Sequence, residues 1–92
     1  MKVFSDLNEV HDWLNENGFE DTVPFANPDY VGAIIGISCC GSLIYSYTKM
    51  VECLMIQDKM TEEDAIDFIN YNTIGSLQRN QSYYPIILFD IN

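Results

Sequence analysis

From Tyr30 to Ile37 the chain reads Tyr-Val-Gly-Ala-Ile-Ile-Gly-Ile, eight residues without a charge in a protein that carries 14 acids against 4 basic residues. Its apolar positions do not alternate with polar ones. A strand covered on both faces has this pattern, so a doubly buried strand is expected over Tyr30–Ile37. Ser38 to Ser42, with Gly41, forms a turn. Leu43-Ile44-Tyr45 follows as a second short strand, and the pair predicts a hairpin. Pro85-Ile86-Ile87-Leu88-Phe89 is a third strand, starting at a proline where a missing backbone donor is tolerated. Three short strands cannot cover themselves, so helices must pack on the sheet.

The helices are marked by their caps. Asp6 followed three residues later by Glu9 has the form of a capping box, and Leu7 to Asn17 reads as a first helix with Leu7, Val10 and Leu14 on one face. Gly18 is a stop, and Phe19 after it is placed to make the apolar contact of a Schellman ending. Glu20 to Asp29 is a connector in which Pro24 and Pro28 bias their predecessors toward extended or turn geometry. Ser46 caps a second helix over Tyr47 to about Gln57, whose inner face holds Tyr47, Met50, Val51 and Leu54. Thr61 caps a third, with Glu62, Glu63 and Asp64 in the first turn, where the helix dipole favours negative charge. Ala65, Ile66 and Ile69 face inward, with Phe68 at the edge. The pattern fades at Asn72-Thr73, and Gly75 is a stop. Leu77 to Tyr84 is a polar and aromatic loop. The expected fold is a small α+β single domain over residues 1–92, in the order α-β-β-α-α-β. Its three-stranded sheet is mainly antiparallel, with helices packed on it.

Nearly half the residues are apolar (48%), so this is a folding sequence and not a disordered acidic tail. A compact chain of this size has a radius of gyration of roughly 12 Å, which leaves little room for a buried catalytic cleft. The net charge of −10 argues against direct binding to nucleic acid or to an anionic membrane. It leaves open a basic protein surface as partner. Met1-Lys2-Val3-Phe4 lacks the apolar run of a signal peptide, and no stretch approaches the roughly 20 residues of a membrane span. A cytosolic protein is expected. Cys39, Cys40 and Cys53 are odd in number and lack framework spacing, as reduced thiols do. The vicinal pair Cys39-Cys40 fits a redox or soft-metal site, or simply two small residues in a turn. Zinc needs about four ligands from Cys, His, Asp or Glu in workable geometry, and one histidine with no CxxC argues against it. No cofactor or metal is expected.

The charge is unevenly placed. Residues 1–30 hold seven acids and one lysine, and residues 58–70 hold five acids and one lysine, while the two remaining segments are neutral. On the first helix Glu9, Asp12 and Glu16 fall within about 60° of one another, opposite the apolar face, and Trp13 flanks them. On the third, Glu63, Asp64 and Asp67 form a second stripe beside Tyr71. Two readings compete: solvated faces that keep the chain soluble, or stripes that imitate phosphate spacing and occupy a basic groove, with Trp13 and Tyr71 as anchors. The candidate partner-binding residues are therefore Glu9, Asp12, Trp13, Glu16, Glu63, Asp64, Asp67 and Tyr71.

Other candidates are weaker. His11 lies at the edge of the first helix's apolar face, with no nucleophile to pair with it. Asp64 and Asp67 have a spacing common on solvated faces. Asn72 is predicted on the inner side of the third helix, where it either meets a ligand or helps to end the helix. Tyr83 and Tyr84 form the most surface-like aromatic pair. Gly32 and Gly36 have no phosphate-loop context. No catalytic residues are assigned and an enzyme is not expected.

Ala33-Ile34-Ile35-Gly36-Ile37, Tyr45-Ser46-Tyr47-x-Lys49-Met50-Val51-Glu52-x-Leu54-Met55 and Met60-Thr61-Glu62-Glu63-x-Ala65-Ile66-Asp67-Phe68-Ile69-x-Tyr71-Asn72-x-x-Gly75, with the late Pro85, carry a resemblance. This pattern resembles a group of small proteins encoded in bacterial genomes, prophages and phages. It covers roughly residues 33 to 88, omits the first helix and the connector, and brings no activity with it. Related sequences often have Asp where this chain has Ser46 and Gly where it has Lys59. The resemblance implies a mobile-element context. Combined with the charge, it leads to an expected non-enzymatic inhibitor of a host nucleic-acid-binding defence system, anti-CRISPR-like, in the cytoplasm of the host cell. The alternatives are an accessory or structural protein, with a homodimer formed through Tyr83, Tyr84 and the third strand, and a small-molecule-binding, sequestering protein.

Overall fold

The computed structural model describes residues 3–76 and 83–91. The first helix, α1 (Leu7–Glu16), begins where Asp6 Oδ1 accepts the Glu9 N–H at 2.9 Å. The Glu9 carboxylate reaches back to the Ser5 N–H at 3.3 Å, so the capping box is closed one residue further out than in its usual form. At the other end Gly18 takes φ +81°, and the Phe19 N–H bonds the Leu14 carbonyl at 2.8 Å, the long bond of a Schellman ending. Phe19 then stacks on Trp13. Val10 and Leu14 are buried.

The uncharged run forms something other than one long strand. Val31–Ala33 make a single 3-10 turn that packs against the second helix, and β1 is only Ile34–Ile37. Its pairing with β2 (Leu43–Ser46) is antiparallel and shifts register between Ile34 and Gly36. The absence of alternation therefore has a different origin from the two-faced burial expected. A helical turn buries Val31 and Ala33, and a bulge at Ile35 resets the face of the strand. Between the strands, the Gly41 N–H bonds the Ser38 carbonyl at 3.0 Å and the Ser38 N–H bonds the Ser42 carbonyl at 2.8 Å. Gly41 itself lies at φ +88°, the third residue of a three-residue hairpin loop.

Ser46 ends β2 and caps α2 (Tyr47–Gln57), its Oγ accepting the Lys49 N–H at 3.3 Å. Met50, Val51 and Leu54 are buried, as their spacing requires. Thr61 caps α3 (Glu62–Phe68), its Oγ1 accepting the Asp64 N–H at 3.1 Å. The helix continues past Phe68 as a π turn, Ile69–Thr73, and a 3-10 turn, Ile74–Ser76. In the π turn the Ile74 N–H reaches the Ile69 carbonyl. That extra residue decides which side chain faces inward: Thr73 is buried and Asn72 is exposed, the reverse of the expectation from 3.6-residue spacing.

The sheet order is β1-β2-β3, with β3 at Ile86–Leu88. The sheet is mixed, because β3 runs parallel to β2 (Ile44↔Ile86, Tyr45↔Ile87, Ser46↔Leu88). An antiparallel neighbour needs only a tight turn. Two helices and the chain after them give enough length to return to the starting end of the sheet, which a parallel neighbour needs. The element order α-β-β-α-α-β is the expected one. Of the loop expected over Leu77–Tyr84, Leu77–Ser82 lie outside the described residues.

Tyr30 and Tyr45 are the largest wholly buried side chains. Phe25 meets both rings, at centroid distances of 5.5 and 4.8 Å. The Tyr30 hydroxyl bonds Thr73 Oγ1 at 2.7 Å, and Tyr45 Oη accepts the Phe25 N–H at 3.1 Å. The connector is thus stitched to the sheet and to the π turn. The Cα radius of gyration is 12.8 Å.

Candidate functional site

Glu9, Asp12, Trp13 and Glu16 line one shallow groove of about 160 Å³ on the outer side of α1. Helical spacing brings these four together, as expected. They are not equivalent. Glu9 is half-buried and engaged at the N-terminus of its own helix, whereas Asp12 and Glu16 are exposed. Trp13 is half-buried between Phe19, stacked at 6.0 Å, and Phe4, edge-on at 6.2 Å. Two aromatic neighbours therefore hold it in place at the groove wall, and it is not a free surface anchor.

On α3, Glu62, Glu63, Asp64 and Asp67 are all exposed. The opposite face, centred on Ala65, packs on α2. Tyr71, on the π turn, is 81% exposed. The two stripes do not meet in one groove. α1 lies beside β1, where Phe4, Trp13 and Ile34 to Ile37 enclose an apolar groove of about 150 Å³, and the groove holding the α1 carboxylates contains no α3 side chain.

A second groove, about 240 Å³, lies between α2 and α3. Tyr47, Val51, Met55 and Ile66 form its apolar floor, with Glu52 and Glu62 at its rim. Asn72 borders a cavity of about 90 Å³ beside Phe25, Pro28, Tyr30 and Phe68. His11 is exposed.

Several functional-looking residues have structural roles. Tyr83 sits at φ 73° with its ring against Gly41, and its carbonyl accepts the Val23 N–H at 2.9 Å. Cys39 and Cys40 occupy the hairpin turn, both exposed, with sulfurs 4.0 Å apart. The bond to Cys39 raises the Cys40 thiol above its ordinary value, and burial raises Cys53, so neither has the lowered value of an activated nucleophile. Among the described residues no group of three His, Cys, Asp or Glu side chains is placed to hold a metal. No helix among them is long and apolar enough to cross a membrane.

One acid with a defined partner escaped the sequence analysis. Asp90, just after β3, accepts the Ser46 hydroxyl at 2.8 Å and the Thr48 N–H at 3.0 Å, giving α2 a carboxylate at its N-terminus. The Thr48 and Ser46 bonds hold its carboxyl below the usual carboxylate range. Nothing near Asp90 in sequence signals this, because the partners are more than 40 residues away.

Comparison with protein-family models, with curated proteins and with solved structures returns no match for this chain.

Proposed function

We propose that this chain is a non-enzymatic binding protein whose exposed helix carboxylates dock on the basic surface of another protein, one that itself binds nucleic acid. The supporting observation is α3. Three acids in its first turn and Asp67 one turn later are exposed, its other face is fixed against α2, and the exposed Tyr71 stands beyond them. Asp64 and Asp67 are separated by about 4.5 Å along the helix axis, comparable with the ~3.4 Å axial spacing of phosphates on one DNA strand. A groove built to neutralise phosphates with Lys and Arg meets a similar charge density here. The α1 carboxylates Asp12 and Glu16 form a second acidic contact, approached separately.

The resemblance of residues 33 to 88 to phage and prophage proteins supports a mobile-element setting. In that setting the partner is a host nucleic-acid-binding defence effector in the host cytoplasm, and the chain acts as an anti-CRISPR-like inhibitor. The grooves named above measure about 90 to 240 Å³, below the ~300 Å³ at which pockets for drug-sized ligands begin, which disfavours the sequestering alternative.

The test is affinity purification of the tagged chain from host cells, beside a variant with Asp64→Lys and Asp67→Lys and a second with Asp12→Lys and Glu16→Lys. The expected result is a basic, nucleic-acid-binding protein that the α3 variant fails to retain and that elutes as salt shortens the screening length from ~10 Å at 0.1 M to ~3 Å at 1 M. Retention that is indifferent to salt and to both charge reversals would exclude charge mimicry.

A further inference from the structure

Cys39 and Cys40 are the first two residues of the hairpin loop between β1 and β2, both exposed, with their sulfurs 4.0 Å apart. Adjacent residues of a strand send their side chains to opposite faces. Here the loop holds the two thiols together instead, and the loop is braced. Besides the backbone bonds that join Ser38 to Gly41 and to Ser42, the Ser42 N–H bonds Ser38 Oγ at 3.1 Å, and the Thr22 hydroxyl donates to the Gly41 carbonyl at 2.6 Å. The Tyr83 ring lies against Gly41 from the side of the connector.

We propose that Cys39 and Cys40 form two corners of a trigonal site for a soft monovalent metal ion, Cu(I), with the third corner filled by an external thiol. The bite sets the geometry. For a metal–sulfur bond of ~2.3 Å, as in zinc thiolates, sulfurs 4.0 Å apart subtend about 120° at the metal, the angle of trigonal coordination. The donors set the ion. Thiolates select Cu(I), which is content with few ligands, whereas zinc in a structural site takes four. Among the described residues no group of three His, Cys, Asp or Glu side chains is placed to hold a metal, so the remaining donor comes from outside the chain.

Binding transfers no electron. Each thiol gives its proton to solvent as its sulfur bonds the ion, which remains Cu(I). The thiols therefore need no prior activation as nucleophiles. The net charge of −10 draws cations toward the chain, and the open corner lets the ion enter and leave by exchange of thiols. None of the acids offered to a basic partner takes part, so this site stands or falls apart from that docking.

The experiment is anaerobic titration of the full chain with Cu(I), with glutathione as the external thiol and a chromophoric Cu(I) chelator in competition. X-ray absorption counts the donors. The expected result is one Cu(I) per chain bound by three sulfurs. Loss of an outer-shell partner alone costs ~10–100-fold in metal affinity, so Cys39→Ser or Cys40→Ser should weaken binding by at least about a hundredfold. Cys53→Ser, on α2, should leave it unchanged. Circular dichroism checks that the variants fold. If they do not, alkylation of the unaltered chain decides, with Cu(I) shielding Cys39 and Cys40 and leaving the rate at Cys53 as it was. Cu(I) held no more tightly than by Cys39→Ser, an equal loss in Cys53→Ser, one ion shared between two chains, Zn(II) held as tightly, or no selective shielding each overturns the proposal.

Discussion

Lys59 shows how a single residue departs from what its backbone asks for. It follows α2 at φ 54°, in the left-handed region, and lets the Met60 N–H return to the Leu54 carbonyl at 3.4 Å. An L-residue there costs roughly 1–2 kcal/mol. Glycine, with no Cβ, avoids that cost. Glycine's greater freedom in the unfolded chain offsets about 0.5–1 kcal/mol. Lys59→Gly is therefore expected to stabilise the fold by about 0.5–1 kcal/mol, raising the melting temperature by a few degrees. Urea denaturation measures the difference, and a loss of stability would show that the Lys59 side chain contributes more than its conformation costs. Tyr30 is held in the same region at φ 47° for a clearer reason: its ring is wholly buried and its hydroxyl bonds Thr73.

At the scale of elements, α2 is capped from two directions. Ser46 is the cap that the sequence shows, and Asp90 supplies a carboxylate from just after β3. Because the Asp90 carboxyl titrates lower in the folded chain than in the unfolded one, its contribution is present above the ordinary carboxylate value. It fades as pH falls through the lowered one. Asp90→Ala should consequently be less stable than the parent at neutral pH, and the gap should close in strong acid. Thermal melts of both chains across pH check this, and a gap independent of pH would mean that Asp90 acts through packing alone. The π turn after α3 is the other element-scale event. By inserting one residue it brings Thr73 inward onto Tyr30 and leaves Asn72 and Tyr71 facing solvent.

The whole molecule is organised around buried phenols. Burial raises Tyr30 above its ordinary value and pushes Tyr45 up to about 12. The unfolded chain releases these protons near pH 10, so the folded state keeps its full stability below that value and loses it as pH rises from about 10 to 12. Tyr45 alone accounts for roughly 2–3 kcal/mol of that loss. Alkaline unfolding followed by tyrosinate absorbance should therefore be cooperative, and Tyr45→Phe should flatten the pH dependence although it removes the bond to the Phe25 N–H. A smooth titration of all six tyrosines near pH 10 without unfolding would contradict this picture of the core. The same molecule separates its surfaces by charge: exposed carboxylates on α1 and α3, and an uncharged β3.

The local signals were all present in the sequence. Asp6, Ser46 and Thr61 cap the helices, Gly18 with Phe19 ends the first, and the inner faces of α1 and α2 follow from spacing, because these depend on residues within a turn or two of one another. The two acidic stripes were legible for the same reason. Tertiary structure alone decided the rest. It set the parallel pairing of β3 and broke the Tyr30–Ile37 run into a 3-10 turn and a bulged strand. It joined Tyr30 to Thr73 and Asp90 to Ser46, pairs 43 and 44 residues apart in the chain. It also placed the two stripes in separate surroundings. Contacts at that separation depend on how far the chain travels before it returns, which local patterns of charge and apolarity do not encode.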